Sequence, residues 1–204
     1  AHFEAEGNLF ISLTGTVTNF GVCHATNGQA NDDELVECNG APTDLAENFG
    51  TQDTSMEAGD LVVSTAQGEA VTLPDGTQTS KAWVEKADTP YQSNILGVVS
   101  TQPNQLYGDG ELFDPSENPQ PVSLAGRVPI KVNTENGSIK TGDYLTASST
   151  PGVAMKSTHP GMVVGQALSS YSGGGDNKVI VFISPFYYDP TIMVDSAGNV
   201  TLQR

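Results

Sequence analysis

Ala58-Gly59-Asp60-Leu61-Val62-Val63, answered by Ile95-Leu96-Gly97-Val98-Val99, returns later in the chain as Thr141-Gly142-Asp143-Tyr144-Leu145-Thr146, answered by Val163-Val164-Gly165-Gln166-Ala167. In each copy a Gly-Asp pair has the composition of a turn, and the residues after it suit a strand. The second run of each copy is apolar and broken near its middle by one glycine, which permits a bulge or a corner where a sheet curls. The repeat predicts two β modules sharing one core.

Runs of the same character surround it, at 61–64, 70–73, 82–86, 95–100, 122–125, 127–132, 144–147, 162–167 and 179–183, separated by Gly, Pro, Asn and Asp. Strands at this spacing predict an all-β fold, with a barrel-like domain over residues 41–185. One fragment reads as helical: Pro42-Thr43-Asp44-Leu45-Ala46-Glu47-Asn48-Phe49-Gly50, with Thr43 or Asp44 as cap and Gly50 as stop. Residues 102–120, rich in Pro, Asn, Asp and Glu, are expected to form an ordered surface loop or lid. Both ends carry additions. Residues 1–40 hold an alternating stretch at 8–20, in which Leu9, Ile11 and Leu13 share one side of a strand. At Pro185 the chain is expected to leave the sheet, and residues 186–204 then read as a tail with a hairpin, 191–194 and 200–202 flanking the turn at 195–199.

The 204 residues carry 24 Asp plus Glu against 8 Lys plus Arg, a formal charge of −16. Such a chain repels phosphates and anionic headgroups, which excludes nucleic acid as a partner. No apolar run approaches the roughly 18 residues of a membrane span, so no membrane insertion is expected. With 22 Gly, 12 Pro and only 16 % charged residues, the composition is that of a turn-rich β protein.

Cys23 and Cys38 bracket a segment of Gly, Asn and Asp with no apolar periodicity. A disulfide between them would stabilise such a loop by about 3 kcal/mol in an oxidising compartment, and two free thiols are the alternative. A first residue Ala1 in place of Met reads as a processed N-terminus or as a fragment cut from a longer product. Together with the low lysine content and the negative charge, these features point to an extracellular or cell-surface location. His24 adjoins Cys23 but no paired Cys-x-x-Cys exists, so no metal site is expected. Carboxylates at Asp109, Glu111, Asp114 and Glu117, and a second run at Asn31, Asp32, Asp33 and Glu34, offer hard oxygen ligands suited to calcium. Neither has EF-hand spacing, and both read as solvated acidic loops; no cofactor is expected.

From Asp44 onward, an ordered set of short motifs resembles the C-terminal β domain of phage tail-fibre and neck-appendage proteins, an intramolecular-chaperone autoproteolytic domain also found in large bacterial surface proteins. The motifs are Asp44-Leu45-Ala46-Glu47, Gly59-Asp60, Ile95-Leu96-Gly97-Val98-Val99-Ser100 with Pro103, and Pro121-Val122-Ser123-Leu124-Ala125-Gly126-Arg127-Val128-Pro129-Ile130 followed by Gly142-Asp143. Leu45 stands where that family has an aromatic residue. The resemblance implies a trimeric or polymeric appendage setting and, in some members, self-cleavage.

Self-cleavage needs a hydroxyl, a base and an oxyanion stabiliser within hydrogen-bond reach, and Asp44, Glu47 and Ser100 are the motif positions to test. Their structural alternatives are a helix cap, a first-turn carboxylate and a strand-end hydroxyl. Ser138 and Lys140 suggest a Ser-Lys dyad, but Asn136-Gly137 beside them reads as a hairpin turn. Trp83, Tyr91, Tyr107, Tyr171, Tyr187 and Tyr188 are candidates for a sugar-binding aromatic platform, or for ordinary packing. The expected function is a structural subunit of an extracellular fibre or appendage, a homopolymer or homo-oligomer assembled by strand addition through Leu9, Ile11 and Leu13. The alternatives are a self-cleaving maturation domain and a carbohydrate-binding adhesin.

Overall fold

The computed structural model describes residues 22–24, 35–37, 44–72, 76–108 and 112–202. The chain divides into two units, 1–41 and 42–204. In the first, β1 (Val22–His24) pairs antiparallel with β2 (Leu35–Glu37), Cys23 opposite Val36. Leu9, Ile11 and Leu13, with the strand expected around them, and Cys38, with its expected disulfide, lie outside the described residues.

The second unit is all-β, as the sequence predicts. Its strands are β3 (Asp44–Phe49), β4 (Leu61–Thr72), β5 (Gln78–Lys86), β6 (Ile95–Val99), β7 (Gln105–Tyr107), β8 (Gln120–Lys131), β9 (Tyr144–Ala147), β10 (Ala154–Lys156), β11 (Gly161–Ala167) and β12 (Lys178–Tyr188). They form one sheet in the order β10-β9-β11-β12-β8-β6-β4-β5, with β3 also on β8 and β7 parallel to β3. The expected C-terminal hairpin is present as β13 (Ile192–Val194) and β14 (Val200–Leu202), a two-stranded sheet by itself.

That order reads as the sequence repeat folded out from the centre. One copy, β4-β5-β6-β8, and the other, β9-β10-β11-β12, take matching places on either side of the β8–β12 pair. The match extends to single hydrogen bonds. Gly59 N donates to Val99 O and Val99 N to Asp60 O, both at 2.9 Å; Gly142 N donates to Ala167 O and Ala167 N to Asp143 O, both at 2.8 Å. In each turn the aspartate accepts from the backbone three residues earlier, Asp60 Oδ2 from Glu57 N at 2.9 Å and Asp143 Oδ2 from Lys140 N at 2.8 Å. Val62 lies between Lys86 and Gly97, and Leu145 between Lys156 and Gly165.

The two glycines are required by what lies over them. A Cβ on Gly97 would sit 2.2 Å from Ser123 O of β8, and one on Gly165 would sit 1.9 Å from Phe182 O of β12. Only a residue without a side chain lets a neighbouring backbone come that close.

Leu61 and Val63 of β4 join Val98, Val128, Ile130, Leu145, Val164, Val181 and Ile183 in the larger core cluster, while Val62 turns to the other face with Phe49, Met56, Val84, Val99 and Val122. A strand covered on both faces accounts for the unbroken apolar run Leu61-Val62-Val63. The sheet ends in edge strands β10 and β5, so it is open; isolated bridges Val132–Ala154 and Gly50–Trp83 tie each end back and curl it.

Three expectations are corrected. The fragment 42–50 is not helical: β3 occupies Asp44–Phe49, with β7 on one side and β8 on the other. A two-turn helix is marginal alone, so pairing along both edges overrides the helical propensity of Leu45, Ala46 and Glu47. The 102–120 segment contributes strand β7 and a 3-10 turn, Pro115–Glu117, capped by Asp114. Finally, β12 runs through Pro185 to Tyr188. Pro185 falls where the β11–β12 register shifts between Gly165↔Ile183 and Val163↔Phe186, so its missing N–H breaks no regular ladder position.

Candidate functional site

Side chains alternate along β3, so Asp44, Ala46 and Asn48 share one face and Glu47 takes the other. Ala46 lies opposite Ser123 of β8, and Ser123 lies opposite Val98 of β6, two residues before Ser100. Ser123 thus stands between the two strands, and the Asp44 carboxyl lies near both the Ser100 and Ser123 hydroxyls. Two of the three expected residues, Asp44 and Ser100, therefore meet, whereas Glu47 is half-buried on the opposite face. The expected cap role of Asp44 disappears with the helix. Ser123 went unnoticed in the sequence; its one signal is a small hydroxyl inside the apolar run Val122-Ser123-Leu124.

Asp44 is 6 % exposed and Ser100 4 %. Burial pushes the Asp44 carboxyl above the ordinary aspartate range, against the nearby Ser100 and Ser123 hydroxyls, which favour the ionised form. Yet neither Asp44 Oδ2 nor Ser100 Oγ completes a hydrogen bond of ordinary geometry. Ser123 Oγ is turned toward Ala125 O at 3.4 Å. Asp44, Leu45, Asn104, Gln105, Ala125 and Gly126 line an open cleft. A carboxyl whose pKa is raised by burial is a proton donor while protonated and a stronger base than an ordinary carboxylate once ionised. Either role places Asp44 beside the Ser100 hydroxyl.

The sign of the pH effect follows. A carboxyl whose folded pKa is raised holds its proton longer folded than unfolded, so its contribution is complete at low pH and is lost as pH rises through the folded pKa. Asp44→Asn stays neutral throughout. Its melting temperature relative to the parent is expected to increase as pH rises from the ordinary carboxylate range to neutrality, in scans across that series; a difference independent of pH is the contrary result.

The other buried carboxylate is Asp60, 1 % exposed in the turn of the first copy. Its Oδ1 accepts from Lys131 Nζ at 2.6 Å, and Lys86 Nζ lies 3.3 Å from Oδ2. Lys131 also donates to Glu57. Burial alone would lower the lysine, but its bonds to Asp60 and Glu57 outweigh that and hold it above the usual lysine range. The second copy repeats the pair as Lys156–Asp143 at 2.9 Å. These are ties between strands and turns.

The remaining candidates are dispersed. Asp114 accepts from Ser116 N at 2.8 Å and Glu117 holds Lys81 at 2.7 Å, so both acids of that loop have internal partners. Asp109, Glu111 and Asn31 to Glu34 lie outside the described residues, among which no group of three or more His, Cys, Asp or Glu side chains is placed to hold a metal. Ser138 and Lys140 are exposed beside Gly137, whose N–H closes a turn on Thr134 O at 2.8 Å. Trp83 packs edge-on against Phe113 and Tyr91 edge-on against His159, while Tyr188 lies tilted against Tyr144. Tyr171 joins the larger core and Tyr107 is exposed on β7, so the six aromatic residues do not share one platform.

Comparison with known proteins returns no matching family model, curated protein or solved structure.

Proposed function

We propose that this chain is a structural subunit of an extracellular fibre or cell-surface appendage, a homopolymer built by β-strand addition. The observation that carries the reading is the sheet edge at β5. That strand pairs with β4, and among the described residues its outer side is met by Gly50, beside Ala82 and Val84. Gln78, Thr79 and Ser80 are exposed along the remaining edge. Such an edge is a template for another strand. The alternating Leu9, Ile11 and Leu13 supply a matching donor, with backbone bonds giving continuity and alternate side chains giving register. The −16 charge and the resemblance to phage fibre domains support the same setting.

The test is the assembly state by electron microscopy and light scattering. Replacing Leu9, Ile11 and Leu13 together by lysine is expected to convert filaments into dispersed chains. Filaments of unchanged length sink the reading.

The meeting of Asp44 and Ser100 favours a second reading, a maturation domain that cuts itself or a linked segment. A longer precursor should then show one sharp cut, lost in Asp44→Asn and in Ser100→Ala; an uncut precursor that still assembles leaves the structural reading alone.

A further inference from the structure

Of the large apolar side chains exposed among the described residues, all but Tyr107 fall after residue 167. Six of those eight make two surfaces, Leu168 and Tyr187 being the others. One is the outward face of β12, where Ile180, Phe182 and Phe186 are 39 %, 48 % and 37 % exposed. The register sets Ile180 beside Pro129, and Phe182 between Arg127 of β8 and Gln166 of β11. The other is the β13–β14 hairpin, whose Ile192, Val200 and Leu202 are 48 %, 66 % and 64 % exposed. A two-stranded hairpin is marginal by itself and gains stability when its apolar side is covered.

Charge separates the two. Strands β8 to β12 contain no Asp or Glu, in a chain that has 24. The charged residues of β8 and β12 on this face are Arg127, Lys131 and Lys178, with Glu57 and Asp60 held on Lys131 at its end, while Asp189 precedes the hairpin and Asp195 begins its turn. Two copies of a −16 chain repel over most of their surfaces, and least through a face whose strands carry only basic charges.

We propose that the β12 face of one copy receives the β13–β14 hairpin of a second copy, apolar side against apolar side and acidic turn toward basic rim. This rests on the reading of the chain as an assembling subunit and gives that assembly a polarity. Donor and acceptor are different surfaces, so the contact is heterologous and repeats along an open filament unless its rotation closes a ring.

The test places two variants, Phe182→Asp and Leu202→Asp, in the full chain that already carries lysine in place of Leu9, Ile11 and Leu13, so that strand addition is silent, and uses sedimentation velocity up to about 1 mM, where weak contacts are populated. Both altered side chains are largely outside the core, and near-UV circular dichroism checks that the fold is kept. Each variant alone should sediment as a single chain. Their equimolar mixture should recover a two-chain species and nothing larger, because one partner keeps its hairpin and the other its face. Leu202→Asp assembling like the parent means the face pairs with itself, and Phe182→Asp doing so means the face is not the acceptor. A monomeric parent means the hairpin covers its own chain or none, and a mixture that stays monomeric means the two surfaces are not complementary. Each of these outcomes overturns the proposal. Filaments lost with the lysine triple, with no sedimentation change from either further variant, leave strand addition standing without this contact.

Discussion

Asp60→Ala is expected to lower the unfolding free energy by about 3–5 kcal/mol, the usual result of removing one partner from a buried ion pair. Asp60 is 1 % exposed and faces two ammonium groups, Lys131 and Lys86, whose side chains are 15 % and 16 % exposed. Without the carboxylate both cations remain poorly hydrated, and Glu57 N loses the acceptor that shapes the turn. Asp60→Asn keeps the volume and an acceptor for Glu57 N but not the charge, so it should fall between parent and alanine. Urea titration at neutral pH measures the series. Lysine linkage fixes the pH range: Lys131 is raised in the fold, so its contribution is complete below the ordinary lysine pKa and disappears only as alkaline pH passes the folded value. A loss below about 1 kcal/mol would show that water or a neighbouring carboxylate replaces Asp60, in the range of an ordinary surface pair.

Gly165→Ala is expected to cost about 3 kcal/mol or more, at the severe end of overpacking, because the new methyl meets backbone. Its carbon would lie 1.9 Å from Phe182 O and 2.9 Å from Phe182 C, at a φ of +154°. No rotamer relieves that contact, so β11 and β12 must separate at the centre of the sheet. Gly97→Ala meets Ser123 O at 2.2 Å and should behave similarly. Gly68→Ala is the control: its nearest neighbour is 3.6 Å away, and a change within about 0.5 kcal/mol is expected. Equal midpoints for Gly165→Ala and Gly68→Ala in denaturant would mean that the two strands do not lie as closely as described.

What the sequence revealed, and what it hid, depends on the range of the forces involved. The Gly-Asp turns and the glycine-centred strands are local patterns, and the repeat read from them is present down to equivalent hydrogen bonds at Val99 and Ala167. The strand Tyr144–Ala147 is likewise written in four consecutive residues. Asp44-Leu45-Ala46-Glu47 misled because its residues suit a helix, and what makes it a strand is two partners, one of them about 80 positions away across the fold at Val122 to Gly126. The same distance hid Ser123 from the candidate site. Asp44 and Ser100 stand in separate motifs, and only the folded chain brings the Asp44 carboxyl near the Ser100 and Ser123 hydroxyls while Glu47 takes the opposite face.

The arrangement of the two copies also orders events during synthesis. A chain emerging from the ribosome completes β3 to β8 first, and the β8 edge must then wait for β12, which begins only at Lys178. At roughly 5–20 residues per second that is a delay of several seconds, during which Val128 and Ile130 have no β12 neighbours. The middle of the sheet is thus the last part to be made, and a nascent chain halted before Lys178 carries an open seam where the finished protein has its centre.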